Sequence, residues 1–311
     1  MKPILVLAAA AAAIAVPALA QGGAPFVVQE TGQGFGSLQQ AVDAIGNGSG
    51  TIVIAPGRYR QCGVQKAGDV AFVAAQPGTA VFDGVACDGK AALVLDGRRS
   101  RVEGLVFQNI RVPDANGAGI RMESGDLVVR ETMFRNSESG ILSAADPGSS
   151  ITVDQSTFSG LGRCDRGLSC AHSIYIGDYG ALIVRRSRFE RGRGGHYVKS
   201  RTPRVEVSDS SFDDTAGHVT NYMIDLPAGS TGLIARNVFV QGRDKENYSG
   251  LIVVGAETIS HSADGLAIEG NDASLAPAME HGTTFVVDYT GDRLRIGANR
   301  LGPRVARFEK R

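Results

Sequence analysis

The strongest constraint on the fold is a repeated pair of apolar residues. A β-branched residue is followed five positions later by Phe at six places, and two weaker copies close on Ala or Leu. The pairs are Val102/Phe107, Val129/Phe134, Val153/Phe158, Val184/Phe189, Val207/Phe212, Ile234/Phe239, Ile268/Ala273 and Ile296/Leu301. Successive closing residues are separated by 23 positions (Phe189 to Phe212) up to 34 (Phe239 to Ala273). Such a period indicates a repeat architecture.

A second short strand fits between consecutive Phe positions, for example in 119–122, 173–176 and 250–253. Each segment is short, nearly alternating, and flanked by Gly, Ser, Asn or Asp. A single strand of this kind cannot bury its apolar residues alone, whereas stacked coils align Phe on Phe and Val on Val. We therefore predict an all-β fold, a right-handed parallel β-helix solenoid of about ten coils.

The first coil of a solenoid needs a cap over its exposed edge and core. Leu38, Val42 and Ile45 fall on one face of a short helix predicted over 37–45, and a Gly-rich break over 46–50 follows. This helix is predicted to lie over the first coil as its N-terminal cap.

The stretch SLQQAVDAIGNGSGTIVIAPGRY at 37–59 resembles the N-terminal signature of pectin-lyase-like β-helix proteins. The resemblance then extends over essentially the whole mature chain and implies the fold. It does not imply one activity, because that architecture hosts lyases, hydrolases, epimerases and binding proteins.

The first twenty residues have the pattern of a signal peptide. Lys2 is followed by an apolar run and by the small-residue site Ala18-Leu19-Ala20, so 1–20 is predicted to be removed. Residues 21–311 then form a single domain. No later apolar run is long enough for a membrane span, and we expect a periplasmic or secreted bacterial protein.

Charge and cysteine content limit the partners and the compartment. The chain has 32 basic and 32 acidic residues, which argues against a nucleic-acid partner. Four Cys in an oxidising compartment favour disulfides, and we pair Cys62 with Cys87 and Cys164 with Cys170; free buried thiols are the alternative. A capped solenoid is consistent with a monomer.

Candidate catalytic residues lie on the second strand of the coil at 194–201. Strand alternation with Val198 inside puts Tyr197, Lys199 and Arg201 on the exterior face. The same register places Tyr175 and Asp225 outward on the neighbouring coils. The sequence therefore predicts an exterior row of Tyr175, Lys199 and Asp225, with Arg201 beside it.

This set of residue types suits β-elimination from a 4-linked uronic-acid polymer. The reaction needs a base for the proton next to the carboxylate, a cation for the enolate, and an acid for the leaving oxygen. Lys199 is the predicted base, its pKa lowered by Arg201 and Arg204. Arg201 is the predicted carboxylate clamp, and Tyr175 or Tyr197 the proton donor.

The arrangement is similar to chondroitinase B and related alginate lyases, in which Lys is the base, Arg is its partner and calcium neutralises the uronate. By role, Lys199 and Arg201 correspond. The resemblance raises calcium as a cofactor, with oxygen ligands available on Asp225, Glu246, Asn247 and Glu257.

Four further motifs resemble a group of exported proteobacterial β-helix proteins. They are GGHYVKSR at 194–201, NYMIDLP at 221–227, QGRDKEN at 241–247 and GAE at 255–257. This resemblance supports the position of a special surface without naming a reaction.

Several motifs have more than one interpretation. His172 and His196 begin equivalent strands, and either hydrogen-bond a turn or serve catalysis and substrate binding together with Tyr222. Both histidines with Cys164 and Cys170 fit no familiar zinc spacing.

Acidic and basic runs elsewhere are equally ambiguous. Asp213-Asp214 is either a hydrolase acid pair or, as we favour, a turn. A basic run is either a track for an acidic polymer or a solvated face; it comprises Arg185, Arg186, Arg188, Arg191 and Arg193.

The sequence favours an exported lyase acting on an acidic polysaccharide. His196 joins Lys199, Arg201 and Tyr175 as a catalytic candidate. The substrate-binding candidates are His172, Tyr197, Tyr222, Asp225 and Arg204. The alternatives are a uronate epimerase or glycoside hydrolase, and a non-catalytic polysaccharide-binding protein.

Overall fold

The computed structural model describes residues 23–311, so the predicted signal peptide at 1–20 lies outside the described residues. Each coil contributes one strand to sheet 1, one to sheet 2 and one to sheet 3 before the chain returns to sheet 1. Neighbouring strands pair in parallel, except that the first strand of sheet 1, Phe26–Val28, pairs antiparallel with both Gln33–Phe35 and Ser49–Ile54. The predicted all-β parallel solenoid is confirmed.

The strand bounds follow this order of sheets. Sheet 1 contains Phe26–Val28, Gln33–Phe35, Ser49–Ile54, Asp69–Ala74, Arg99–Glu103, Asp126–Arg130, Asp146–Asp154, Tyr179–Arg185, Arg204–Ser208, Thr231–Ala235, Ala267–Glu269 and Arg295–Ile296. Sheet 2 contains Gly57–Tyr59, Ala80–Asp83, Leu105–Gln108, Met133–Arg135, Thr157–Ser159, Arg188–Glu190, Ser211–Asp213, Val238–Gln241, Asp272–Leu275 and Arg300–Leu301. Sheet 3 contains Gly63–Gln65, Ala91–Leu95, Ala118–Met122, Ser139–Ser143, Ile174–Ile176, Val198–Ser200, Ile224–Leu226, Ile252–Val254, Thr283–Asp288 and Val305–Lys310.

The five-residue spacing of the repeat comes from the corner between sheets 1 and 2. In seven of the eight pairs, the residue two positions after the β-branched residue has positive φ, which turns the chain sharply. These corner residues are Gly104, Glu131, Gln155, Arg186, Asp209, Arg236 and Gly270. The β-branched residue therefore faces the interior from sheet 1, and the Phe faces it from sheet 2.

The Phe residues form one interior ladder. Phe107, Phe134, Phe158, Phe189 and Phe212 are fully buried, and consecutive ring centroids lie 4.8–5.3 Å apart. Stacked aromatic pairs add stabilisation beyond the buried area. This ladder is the core that the sequence period predicted.

A second, polar ladder runs inside the same corner. One residue after the left-handed position, Ser156, Ser187, Ser210, Asn237 and Asn271 are buried. The Ser187 hydroxyl accepts from the Ser156 N–H at 3.2 Å, and the Ser210 hydroxyl accepts from the Ser187 N–H at 3.0 Å. Each coil thus satisfies a buried backbone donor of its neighbour.

The N-terminal cap and the cysteine pairs have the expected arrangement. The helix Leu38–Ile45 buries Leu38, Ala41 and Val42 against the first coil. The pairs Cys62–Cys87 and Cys164–Cys170 are both disulfide-bonded, as predicted. Two disulfides indicate an oxidising, extracytoplasmic environment. No helix within 23–311 has the length and apolarity to cross a membrane.

Candidate active site

The predicted exterior row lies on sheet 3. Tyr175 pairs in register with Lys199, and Lys199 with Asp225. The preceding residues Ile174, Val198 and Ile224 are fully buried in the core, so strand alternation directs the row outward. The register of the coils therefore brings together the three residues that the sequence placed in one row.

Lys199 is held by two carboxylates. Its Nζ donates to Asp225 Oδ2 at 2.9 Å and to Glu257 Oε1 at 2.6 Å, and the residue is only 7% exposed. Burial opposes the charged form, but the contacts with Asp225 and Glu257 outweigh it and raise the pKa of Lys199. The expectation that neighbouring arginines lower this pKa was wrong, because acidic partners surround the ammonium group.

Arg201 lies beside Lys199 and shares one of its partners. Its Nε donates to the Tyr175 hydroxyl at 3.0 Å, and its Nη2 donates to Glu257 Oε2. Burial acts to raise the pKa of Glu257, but Lys199 and Arg201 overcome this effect and lower the pKa to about 2. The Glu257 carboxylate thus binds Lys199 through one oxygen and Arg201 through the other.

Asp225 links Lys199 to the histidines. Burial raises its pKa, while Lys199 opposes that shift. Its Oδ2 lies 3.4 Å from His196 Nε2, and its Oδ1 is buried without a hydrogen-bond partner. Asp225 therefore positions Lys199 from below the surface, since only 2% of it is exposed.

His172, His196 and Tyr222 form a stack at the corner before sheet 3. Ring centroids are 5.0 Å apart for the two histidines and 5.3 Å for His196 and Tyr222. His172 Nδ1 accepts from the His196 N–H at 3.0 Å, which is the turn-bonding role. Burial lowers the pKa of His172 well below its usual value and that of His196 to about 3, with Lys199 adding to both shifts. Both imidazoles are neutral at physiological pH.

Two predicted members of the site lie elsewhere. Tyr197 is 1% exposed and donates its hydroxyl to Asp214 at 2.6 Å inside the solenoid. It points inward because the strand begins only at Val198, after a turn at Gly194 and Gly195 that breaks the alternation. Arg204 is exposed and begins the next strand of sheet 1, so it does not join Lys199.

The proposed calcium ligands make other contacts in this structure. Lys199 Nζ itself contacts both Asp225 and Glu257, and Glu246 instead accepts from Asn221 Nδ2 at 2.9 Å. Asn247 donates to the Tyr222 hydroxyl at 2.8 Å. These contacts do not fit a calcium site built from this set. The sulfur atoms of Cys164 and Cys170 near Glu246 are already joined to each other.

The acid pair at 213–214 is divided between surface and core. Asp213 accepts from the Thr215 N–H and forms the expected turn. Asp214 is fully buried, where it also accepts from Thr220 and lies 3.2 Å from Lys245 Nζ. The two acids therefore do not face a common glycosidic bond. Sequence reasoning missed this interior cluster.

The basic run is largely paired with carboxylates. Arg185 contacts Glu206, Arg186 contacts Asp154, and Arg188 contacts Glu190. Arg193 instead lines a groove of about 570 Å³ at the corner between sheets 2 and 3, together with Arg111, Arg163, Arg166 and His218. Within residues 23–311, neither Arg111 nor Arg193 forms an ion pair. Arg191 of the run is exposed and likewise forms no ion pair among the described residues. The groove, which Asp165 also lines, therefore contains two arginines whose charge no ion pair neutralises.

Glu257 is the main residue whose role the sequence did not reveal. The sequence predicts it only as an oxygen ligand for calcium, whereas it bridges Lys199 and Arg201. The available signal was the length of its loop. The connection from sheet 3 to sheet 1 spans 255–266 here, but only 201–203 in the coil of Lys199.

Comparison with protein-family models supports the architecture. Residues 88–275 match the family model of the right handed beta helix region. No curated protein sequence matches the chain. A solved structure of the PL6 family alginate lyase AlyGC is similar, with 14% sequence identity and a TM-score of 0.40. The match covers 79% of this chain and 37% of the lyase chain, so this chain spans little more than a third of that protein's length.

Proposed function

We propose that this chain, which belongs to the right-handed β-helix family, is an exported lyase that cleaves an acidic polysaccharide by β-elimination. One observation carries the proposal: Lys199 and Arg201 bind the two oxygens of a single carboxylate, that of Glu257. The Tyr175 hydroxyl accepts a hydrogen bond from the same Arg201. The two disulfides support an oxidising compartment.

The proposed reaction starts from a bound uronate. Arg201 and Lys199 neutralise its carboxylate, so that loss of the proton at C5 gives a stabilised enolate. The C4–O bond then breaks, a double bond forms between C4 and C5, and the leaving oxygen takes up a proton. Two cations at one carboxylate provide the electrostatic part of this reaction.

We assign proton transfer to Tyr175 rather than to Lys199. The raised pKa of Lys199 keeps it a cation, which suits enolate stabilisation and not proton removal. Tyr175 is half-buried and its hydroxyl accepts from Arg201 Nε at 3.0 Å, so it lies beside the cations that would hold the uronate carboxylate. His196 is neutral but 8% exposed, and we assign it, with His172 and Tyr222, to supporting the row.

The test is a panel of alginate, pectate and glycosaminoglycans monitored for near-ultraviolet absorbance and chain length together. We expect absorbing, shortened products from at least one polymer. Arg201→Ala and Tyr175→Phe should lower the rate by about 100-fold or more. Arg188→Ala, an exposed arginine on sheet 2, is the matched control and should leave the rate unchanged. Binding without shortening would contradict the proposal and favour a non-catalytic glycan-binding protein.

A glycoside hydrolase is the second candidate, favoured by the two carboxylates of Asp225 and Glu257. Both contact the same Lys199 nitrogen, and their pKa values shift in opposite directions. Retaining hydrolases pair a protonated acid with an ionised nucleophile about 5 Å apart. Shortened chains with saturated ends and no absorbance would favour this candidate over the lyase. An epimerase would instead incorporate solvent deuterium without shortening the chain.

A further inference from the structure

The loop over 255–261, which we call the strap, crosses three neighbouring coils of the exterior surface. It leaves sheet 3 after the strand Ile252–Val254. Its backbone is tied to the preceding coil, where the Glu257 N–H donates to the Pro227 carbonyl at 3.1 Å. Its side chains reach further, with Glu257 on Lys199 and Arg201, and His261 Nε2 3.4 Å from Asp178 Oδ1.

The strap adds little to the core. Residues 256–260 are all exposed, including Ile259 at 46%. Four backbone hydrogen bonds, from the N–H groups of 255, 257, 260 and 261 to carbonyls of 226–228, hold the strap in place. A segment with few buried apolar contacts opens at a lower free-energy cost than a core strand. Its principal side-chain contacts are the ion pairs of Glu257, so it closes over the cations rather than over the hydrophobic interior.

Glu257 presents the same group as the ligand that we propose. Its Oε1 accepts from Lys199 and its Oε2 from Arg201, which is the two-point binding that a uronate carboxylate would make. The Glu257 carboxylate and a ligand carboxylate cannot occupy this position between Lys199 and Arg201 at the same time. Lys199 is otherwise nearly closed to solvent, so a ligand reaches it only when Glu257 leaves.

We infer that Glu257 occupies the ligand-carboxylate position in the free protein and is a specificity-determining residue for uronates. This inference rests on the proposed function and deepens it. A ligand with a free carboxylate replaces the Glu257 contacts as it displaces the strap. If a neutral or methyl-esterified sugar displaced Glu257, Lys199 and Arg201 would be left without an anion. Unpaired charges are costly at a partly buried site, so such sugars do not bind.

The inference is tested by binding rather than by turnover. The probes are methyl glycosides of mannuronate, guluronate, galacturonate and glucuronate, with the matching methyl esters; as monosaccharides they cannot be cleaved by chain elimination. Affinity is measured by titration for wild-type protein, Glu257→Gln and Glu280→Gln. Glu280 is an exposed acid away from the row and serves as the control.

Glu257→Gln should bind at least one uronate about tenfold more tightly, because removing the internal competitor raises the binding-competent fraction. The control Glu280→Gln should bind uronates with the affinity of the wild-type protein. The methyl esters should bind to neither variant nor to the wild-type protein. Unchanged or weaker uronate binding by Glu257→Gln would overturn the inference.

A second measurement covers the case in which Glu257→Gln does not fold. Amide hydrogen exchange over 255–261 in the wild-type protein should increase when the tightest uronate is added and stay constant with its methyl ester. No increase would overturn the inference. If Glu257→Gln binds uronates more tightly but no polymer gives products that absorb in the near ultraviolet, the lyase function is rejected and the role of Glu257 is retained.

Discussion

Lys199 and Asp225 form a nearly buried ion pair whose two members depend on each other. Removing one partner leaves an uncompensated buried charge, whereas replacing both removes the problem. Lys199→Met should therefore lower the free energy of unfolding by about 3 kcal/mol, and Lys199→Met/Asp225→Leu should recover most of that loss. Urea denaturation in a double-mutant cycle measures the coupling.

The matched control is the exposed pair Arg236 and Asp209, which are 2.7 Å apart. Exposed pairs couple by less than about 1 kcal/mol. A coupling free energy between Lys199 and Asp225 no larger than that of this control would contradict a nearly buried ion pair and indicate solvated surface residues.

The two stacked histidines predict a stability that depends on pH. Their pKa values are lowered in the folded protein, so below the unfolded value of about 6.5 the unfolded chain binds more protons. Stability should fall as the pH drops from 6.5 towards 3, with a slope of up to about 1.4 kcal/mol per pH unit for each histidine. Denaturant unfolding at pH 7.5 and pH 5 measures the change.

His196→Gln should flatten this slope, and His281→Gln, an exposed histidine on a loop, should not alter it. Equal pH dependence in wild-type protein and His196→Gln would show that His196 titrates freely, contrary to its burial.

Among the elements, the strands of sheet 2 contribute the fully buried Phe ladder to the core. Phe158 stacks between Phe134 and Phe189 with centroids 4.8 Å away on both sides. Phe158→Ala should lower the free energy of unfolding by about 3–5 kcal/mol. The control Phe308→Ala, on the exposed face of the last strand, should change it by less than about 0.5 kcal/mol. A loss below about 1 kcal/mol for Phe158→Ala would contradict the stacked core.

The same ladder explains how much of the fold the sequence predicts. Pairs such as Val153 and Phe158 recur with the same five-residue spacing because the corner between sheets 1 and 2 has the same geometry in successive coils. The spacing therefore predicts where each coil lies in the sequence. Where the backbone leaves that geometry, the pattern fails. Tyr197 follows a glycine turn instead of lying within a strand, and it points into the core rather than outward.

The candidate site was predictable only where coils keep register. Tyr175, Lys199 and Asp225 share one strand position, and alternation about Val198 places them outside. Glu257 lies on a connection whose length is free to vary, so no spacing links it to Lys199. The pKa of Lys199 was predicted in the wrong direction because the carboxylates around it come from other coils.

For the whole molecule, basic side chains lie outside the row as well. The groove containing Arg111 and Arg193 provides positive charge apart from the row. Arg111→Ala/Arg193→Ala should weaken binding of a long acidic polymer by about tenfold, since each exposed contact contributes up to about 1 kcal/mol. Titration with polymers and with uronate monosaccharides measures this difference, because the monosaccharides fill the row alone and should bind unchanged.

The control for the groove is Arg101→Ala/Arg130→Ala, which removes two exposed arginines from sheet 1. If both double variants weaken polymer binding equally, the protein attracts polyanions through diffuse charge and has no defined groove.

The mass of the products formed from whichever acidic polymer the protein shortens distinguishes elimination from hydrolysis most directly. β-Elimination adds no water, so the products of the wild-type protein should be lighter by one water molecule than hydrolysis products. Arg201→Ala should not form these products. Products that carry the added water, or identical products from Arg201→Ala at an unchanged rate, would contradict a uronate lyase at Lys199, Arg201 and Tyr175.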